Sequence, residues 1–261
     1  MLKSFREQTY RNRRLLIWDT STKEADLRDL PTMNDPPFIQ CVRSAPLGFS
    51  IGTLRNYANQ YASKDLSDII AHWDSDDWSH PNRLAEQVEL LTSPEIVSER
   101  QPGKLQYPEA VSYNEMLFWY TSPPDVKARY EGMISTFPKE AFPLPEHLRL
   151  RDREAWLYRS PNPLCPIGTS LCYWRSTWER HPFAERSMGE DLEWWSRVRG
   201  VMASSFVMRP DKRTAIPTHP AEPRMIAAIH GGNTVPKPIN PDSREWKRVP
   251  EWDSYCRGVM A

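Results

Sequence analysis

Along the first third of the chain, compact apolar runs alternate with stretches whose apolar residues recur at helical spacing. Residues 2–8 read as the end of a short helix. Leu15-Leu16-Ile17-Trp18 is a compact apolar run closed by Asp19-Thr20-Ser21, the pattern of a buried strand and its terminal loop. Residues 38–42 predict a second strand. Residues 51–62 predict a helix, with Leu54, Ala58 and Tyr61 on one face. A strand follows over residues 67–73, centred on Ile69-Ile70-Ala71 and running into the acidic cluster Asp74-Ser75-Asp76-Asp77. Pro81 then opens a helix with the apolar stripe Leu84, Val88 and Leu91. This alternation predicts an α/β fold with a largely parallel sheet. Such sheets bind ligands at the carboxyl ends of their strands, where Asp19 and residues 74–77 fall.

The second half is less regular. Met116-Leu117-Phe118-Trp119-Tyr120 predicts a strand, and residues 122–166 are Pro-rich and charged with only residues 155–158 strand-like. Residues 170–174 predict a further strand, residues 190–198 a helix, and Met225–Ile229 a last strand before His230. From Gly231 the chain is polar and Pro-containing, which predicts a tail lying on the surface. No internal repeat or low-complexity segment occurs. The expected organisation is one domain over residues 1–237, with a nucleotide-binding half (1–92) and an acceptor-side half (110–237), followed by a tail over 238–261.

Composition narrows the classes. The 261 residues suffice for one large domain. Lys plus Arg equals Asp plus Glu at 34 each, so no global field draws the protein to nucleic acid or to a membrane. The basic residues Lys3, Arg6, Arg11, Arg13 and Arg14 read as a solvated helix face, in preference to a polyanion-binding arm. The 11 Trp imply large core anchors or flat surfaces for ligands such as sugars. Cys41, Cys165, Cys172 and Cys256 form no C-x-x-C pair and suit no zinc module, so they are expected to be reduced in a cytoplasmic protein. Neither a membrane span nor a signal peptide is visible.

Asp74 and Asp76 are two residues apart after a buried strand and project to one side of the chain. They make a hard oxygen site suited to Mg²⁺ or Mn²⁺, which commonly shares its coordination with water and phosphate. The alternative is an acidic cap before the helix opened by Pro81. Glu190-Asp191 admits two readings as well, a general base or the acidic first turn of a solvated helix. Asp19 either contacts a ligand or caps a turn, and His230 either ligates a metal or stabilises the following Gly-Gly turn. Trp194 and Trp195 are adjacent and cannot both face one sugar, and Trp73 and Trp78 are expected to pack.

The run Ile69-Ile70-Ala71-His72-Trp73-Asp74-Ser75-Asp76-Asp77-Trp78-Ser79-His80-Pro81-Asn82-Arg83-Leu84, followed by Gln87-Val88, resembles the metal-binding segment of family 2 glycosyltransferases. Four further matches occur in the family's order. Ser4-Phe5-Arg6-Glu7-Gln8-Thr9-Tyr10 with residues 15–21 resembles the first helix and second strand. Gly52-Thr53-Leu54-Arg55-Asn56 resembles the helix start near the nucleotide. Gly168-Thr169-Ser170-Leu171-Cys172-Tyr173, with Arg175, Trp178, Pro182-Phe183 and Gly189-Glu190-Asp191, resembles the acceptor-side segment. His230-Gly231-Gly232-Asn233-Thr234 resembles a C-terminal element of one bacterial branch. The matches span residues 4–237.

The resemblance implies the GT-A fold, a Rossmann-like, mixed but mainly parallel sheet flanked by helices. It also implies an inverting transfer of a sugar from a nucleotide-diphosphate donor to an acceptor hydroxyl on a glycan, lipid-linked or protein acceptor. Asp76, with His230 as a further candidate, would bind Mn²⁺ or Mg²⁺. Asp74 would contact the ribose or metal-bound water, Asp19 the base or ribose, and Arg55 the sugar-nucleotide. Asp191 would be the general base, with Gly168, Thr169, Ser170 and Glu190 on the acceptor side. Two departures stand out. Met1 falls inside the family's first helix, so its first strand and nucleotide-contacting loop are missing, and Asp19-Thr20-Ser21 stands where two adjacent acids are usual. A non-catalytic sugar-nucleotide-binding remnant is therefore one alternative. A metal-dependent phosphoester hydrolase using Asp74 and Asp76 is another.

Overall fold

The computed structural model describes residues 1–20, 38–44, 48–63, 68–96, 105–120, 153–160, 165–198, 200–204, 222–229 and 243–260. The chain opens with α1 (Leu2–Arg6), β1 (Arg14–Asp19), β2 (Phe38–Arg43) and α2 (Ile51–Ser63). Next come β3 (Ile69–Ala71), β4 (Trp78–Ser79), α3 (Arg83–Thr92) and the small hairpin pair β5 (Glu95–Ile96) and β6 (Leu105–Gln106). The second half contains β7 (Ala110–Tyr120), β8 (Ala155–Arg159), a 3₁₀ turn (Gly168–Ser170), β9 (Cys172–Trp174), α4 (Arg175–Arg180) and α5 (Glu190–Trp195). It closes with β10 (Gly200–Ser204), β11 (Met225–Ile229), β12 (Trp246–Arg248), a 3₁₀ turn (Pro250–Trp252) and α6 (Asp253–Met260).

The fold is mixed α/β and is organised on β7. Every β7 residue except Asn114 is buried, so this strand is covered on both faces. Its first half lies between β9 and β10, and its second half between β8 and β11. β12 extends the sheet beyond β8, β4 beyond β11, and β3 beyond β9.

Two expectations are corrected here. The sheet is not mainly parallel. Only β10 and β11 run parallel to β7, whereas β7–β8, β7–β9, β3–β9, β4–β11 and β8–β12 are antiparallel. Alternating strand and helix periods identify the class, but strand direction is set by pairing with β7, which no local pattern encodes. The last residues are also not a surface tail. β12 pairs with β8, and α6 buries Cys256 in a cluster with Leu117, Trp119, Ile226 and Val249. No helix among the described residues is long and apolar enough to cross a membrane.

β1 and β2 pair in parallel as a separate two-stranded sheet, with Arg14 opposite Phe38 and Asp19 opposite Arg43. The Asp19 carbonyl accepts from Ser44 N–H, so Leu15, Ile17 and Asp19 face β2, and Leu16 and Trp18 turn their backbone groups to the other edge. On β3, the bonds His72 N–H to Leu171 and Arg175 N–H to Asp68 mark residues 68, 70 and 72 as facing β9. Ile69 and Ala71 therefore turn theirs outward. Among the described residues no strand pairs with either edge, and both edges border one cleft. α1 spans the gap by packing Phe5 with Leu15, Ile39 and Trp73.

Candidate active site

The cleft has a volume of about 1140 Å³. β3 delivers the acidic loop to it. The chain leaves the sheet at His72 and presents Asp74 and Ser75 to solvent, Asp76 half-buried and Asp77 buried. The loop is held from below by Arg83, whose side chain is buried. Its guanidinium donates to the carbonyls of His72 (2.7 Å) and Thr169 (3.1 Å), to Ser79 Oγ (2.9 Å) and to Gln87 Oε1 (3.2 Å), and it lies over the Trp73 ring. Leu84 and Leu91 of α3 are buried as the stripe predicts, while Val88 is only half-buried and Arg83 and Gln87 complete the buried face. Asn82 is the N-cap of α3, so the acidic cluster does not cap that helix.

Asp77, absent from the predicted site, is the loop's anchor. Its Oδ2 accepts from the Thr169 hydroxyl at 2.6 Å and its Oδ1 from Ala228 N–H at 3.2 Å. Burial, and then the charge of Asp74, push its carboxyl up to about 8. His72 is a second residue that sequence patterning missed. Its Nδ1 lies 2.9 Å from the Gly168 carbonyl, which can only accept, so Nδ1 carries the proton. Nε2 then accepts from the Tyr173 hydroxyl at 3.1 Å, and Tyr173 in turn accepts from Asn59 Nδ2 at 2.8 Å. Burial holds the His72 imidazole well below its usual range, in keeping with this neutral tautomer. The available signals were position alone: Asp77 ends the acidic cluster, and His72 follows the apolar run.

The 3₁₀ turn and α5 supply a neighbouring part of the lining. Gly189 adopts φ +71°, a left-handed conformation that glycine takes without a Cβ penalty, and there begins α5. Glu190 and Asp191 are indeed in the first turn of a helix, but Glu190 does not lie on a solvated face. It is buried, with Oε1 accepting from Arg55 Nη1 at 2.6 Å. Burial pushes the Glu190 carboxyl up, partly offset by the Arg55 charge. Trp194 and Trp195 are both buried; Trp194 stacks on Phe183. Trp73 packs edge-on to Phe5 and Trp78 edge-on to Tyr255.

Most of the predicted site residues meet. Asp74, Asp76, Arg55, Gly168, Thr169, Glu190 and Asp191 all line the cleft, although more than a hundred residues separate the first two from the last. Asp19 and Ser170 do not line it. Asp19 ends β1 with its carboxylate 4.0 Å from Arg43, and Trp18 borders the cleft instead. The Ser170 hydroxyl faces the core, where it bonds Ser112, Tyr113 N–H and the Ile167 carbonyl. His230 lies outside the described residues.

Two carboxylates in a solvent-open loop suit Mg²⁺ or Mn²⁺ shared with a phosphate ligand, since such ions keep several positions for water and phosphate oxygens. Among the described residues no three metal-ligating side chains converge. No protein-family sequence model matches the chain, and no curated protein sequence matches it.

Proposed function

We propose that this protein is an inverting, metal-dependent glycosyltransferase that uses a nucleotide-diphosphate sugar as donor. The observation that carries the reading is that Asp74, Asp76 and Asp191 line one cleft. Asp76, helped by Asp74, would hold Mg²⁺ or Mn²⁺, which when bound neutralises charge on the departing diphosphate. Asp191 accepts the proton of the acceptor hydroxyl as that oxygen bonds to the anomeric carbon. The bond from that carbon to the diphosphate breaks on the opposite face, so the configuration inverts. Asp77 and Arg83 keep the acidic loop in place.

Calorimetric titration with UDP and with GDP, each with and without Mn²⁺, tests the donor half of this assignment. Binding is expected to need Mn²⁺ and to weaken at least about tenfold in Asp76→Ala, or roughly 1.4 kcal/mol. Binding that is indifferent to the metal, or unchanged in Asp76→Ala, would sink it. One observation favours a second reading, a sugar-nucleotide-binding protein without transferase activity: among the described residues no strand joins β1 to β3, whose edges border the same cleft. Nucleotide binding with no turnover of any donor would select it.

A further inference from the structure

The first turn of α5 is fixed by contacts from two directions. From one side, α2 lies against the segment preceding α5. Gly52 N–H donates to the Arg186 carbonyl at 3.0 Å, and a Cβ on Gly52 would lie 1.9 Å from the Ala184 carbonyl oxygen. One turn on, Asn56 makes three bonds: its Nδ2 donates to the Phe183 carbonyl (2.8 Å), and its Oδ1 accepts from Phe183 N–H and Trp178 Nε1 (both 2.9 Å). Between them Arg55 reaches Glu190 while its guanidinium lies over the Phe183 ring. The Gly-x-x-Arg-Asn element thus carries contacts to α5 that nucleotide binding alone does not explain.

From the other side, the 3₁₀ turn abuts Asp191 directly. A Cβ on Gly168 would lie 1.9 Å from Asp191 Oδ2 and 2.8 Å from its Cγ, so the carboxylate occupies the notch left by the missing side chain. That turn is also tied to the acidic loop, through His72 to the Gly168 carbonyl and Thr169 to Asp77. One short segment therefore backs both Asp77 and Asp191.

We infer that Gly168 and Arg55 are positioning residues for the Asp191 carboxylate. Gly168 supplies the notch that seats it, and the Arg55–Glu190 ion pair pins the helical turn that carries it. The inference rests on the reading of Asp191 as the general base. In Gly168→Ala the carboxylate must leave its seat. In Arg55→Gln, Glu190 loses its cationic partner and the turn is released. A displacement of about 1 Å from a productive geometry lowers a rate by roughly a hundredfold.

The test has two arms. In the first, protein labelled with ¹³C at aspartate carboxyls gives a resonance for Asp191, identified by its loss in Asp191→Asn. This resonance is expected to move in Gly168→Ala and in Arg55→Gln, and to return toward its original position in Arg55→Lys. Glu190→Gln serves as a second variant if Gly168→Ala does not fold. An Asp191 resonance unmoved in every folded variant overturns the inference. In the second arm, Mn²⁺-dependent release of nucleoside diphosphate from UDP-glucose and GDP-mannose is followed. Gly168→Ala is expected to lower kcat about a hundredfold and leave KM for the donor within about threefold. An unchanged kcat in folded Gly168→Ala also overturns the inference. If the wild-type protein turns over neither donor, the transferase reading loses support while the resonance arm still decides the positioning roles.

Discussion

Asp77 and His72 are buried ionisable residues beside the acidic loop, and each makes stability depend on pH. The Asp77 carboxyl rises from 3.8 to about 8 on folding, so the folded protein holds a proton that the unfolded chain releases. Its contribution to stability is complete below pH 3.8 and is lost as pH rises to about 8. Asp77→Asn keeps acceptor and shape without the charge. Its unfolding midpoint, measured in metal-free buffer, is expected to gain on wild type as pH rises from 6 to 8, by about 1.4 kcal/mol per pH unit at most and about 3 °C per kcal/mol at this size. Parallel melting profiles for the two proteins would count against this account. His72 acts in the other direction. Its folded value lies below 6.5, so its contribution is present above that pH and is lost as pH falls. The acid-side loss should therefore persist in Asp77→Asn. Sequence alone could nominate Asp74 and Asp76, whose exposure after a strand follows from local pattern. It could not distinguish Asp77, because burial by Thr169 and Ala228 comes from elements far away in the chain.

At the scale of elements, local pattern succeeded where one face decides the structure. The strands β1, β2, β3 and β11 and the helices α2 and α3 stand where apolar spacing places them. It fell short where a polar group replaces an apolar one inside the core. On α3 the buried face includes Arg83 and Gln87, which donate to the Thr169 and Ser170 carbonyls, while Arg83 also donates to the His72 carbonyl, Ser79 and Gln87 itself. α2 has a comparable division of labour, since Leu54 and Ala58 border the cleft while Gly52 and Asn56 grip the segment before α5. Gly52→Ala is therefore expected to behave as a packing mutation despite its helical position. Its Cβ meets backbone rather than a yielding side chain, so a loss of roughly 1–3 kcal/mol in equilibrium denaturation is expected, against the small gain usual for Gly→Ala in a helix. A gain in stability would contradict the close approach of α2 to Ala184.

For the whole molecule, mixed α/β architecture was legible in the sequence, but the antiparallel returns onto β7 and the role of the C-terminal residues were not. Both depend on partners distant in the chain. β12 is only three residues long and has no pattern of its own until β8 pairs with it. Deleting residues 253–260 removes Cys256 from the cluster beneath β7 and β11, along with the Asp253 carboxylate that accepts from Ala155 N–H. The truncated protein is expected to lose at least about 3 kcal/mol in urea denaturation, the scale of removing buried apolar area and a buried acceptor. A surface tail would cost almost nothing. The separation of β1–β2 from the main sheet bears on cooperativity. Among the described residues no ladder joins β1–β2 to the main sheet, and α1, α2 and Trp73 make the link, so the chain need not unfold as one unit. Native-state hydrogen exchange should show the β1–β2 ladder opening sub-globally, at a lower free energy than the amides of β7, and any ligand that bridges the cleft should bring the two values together.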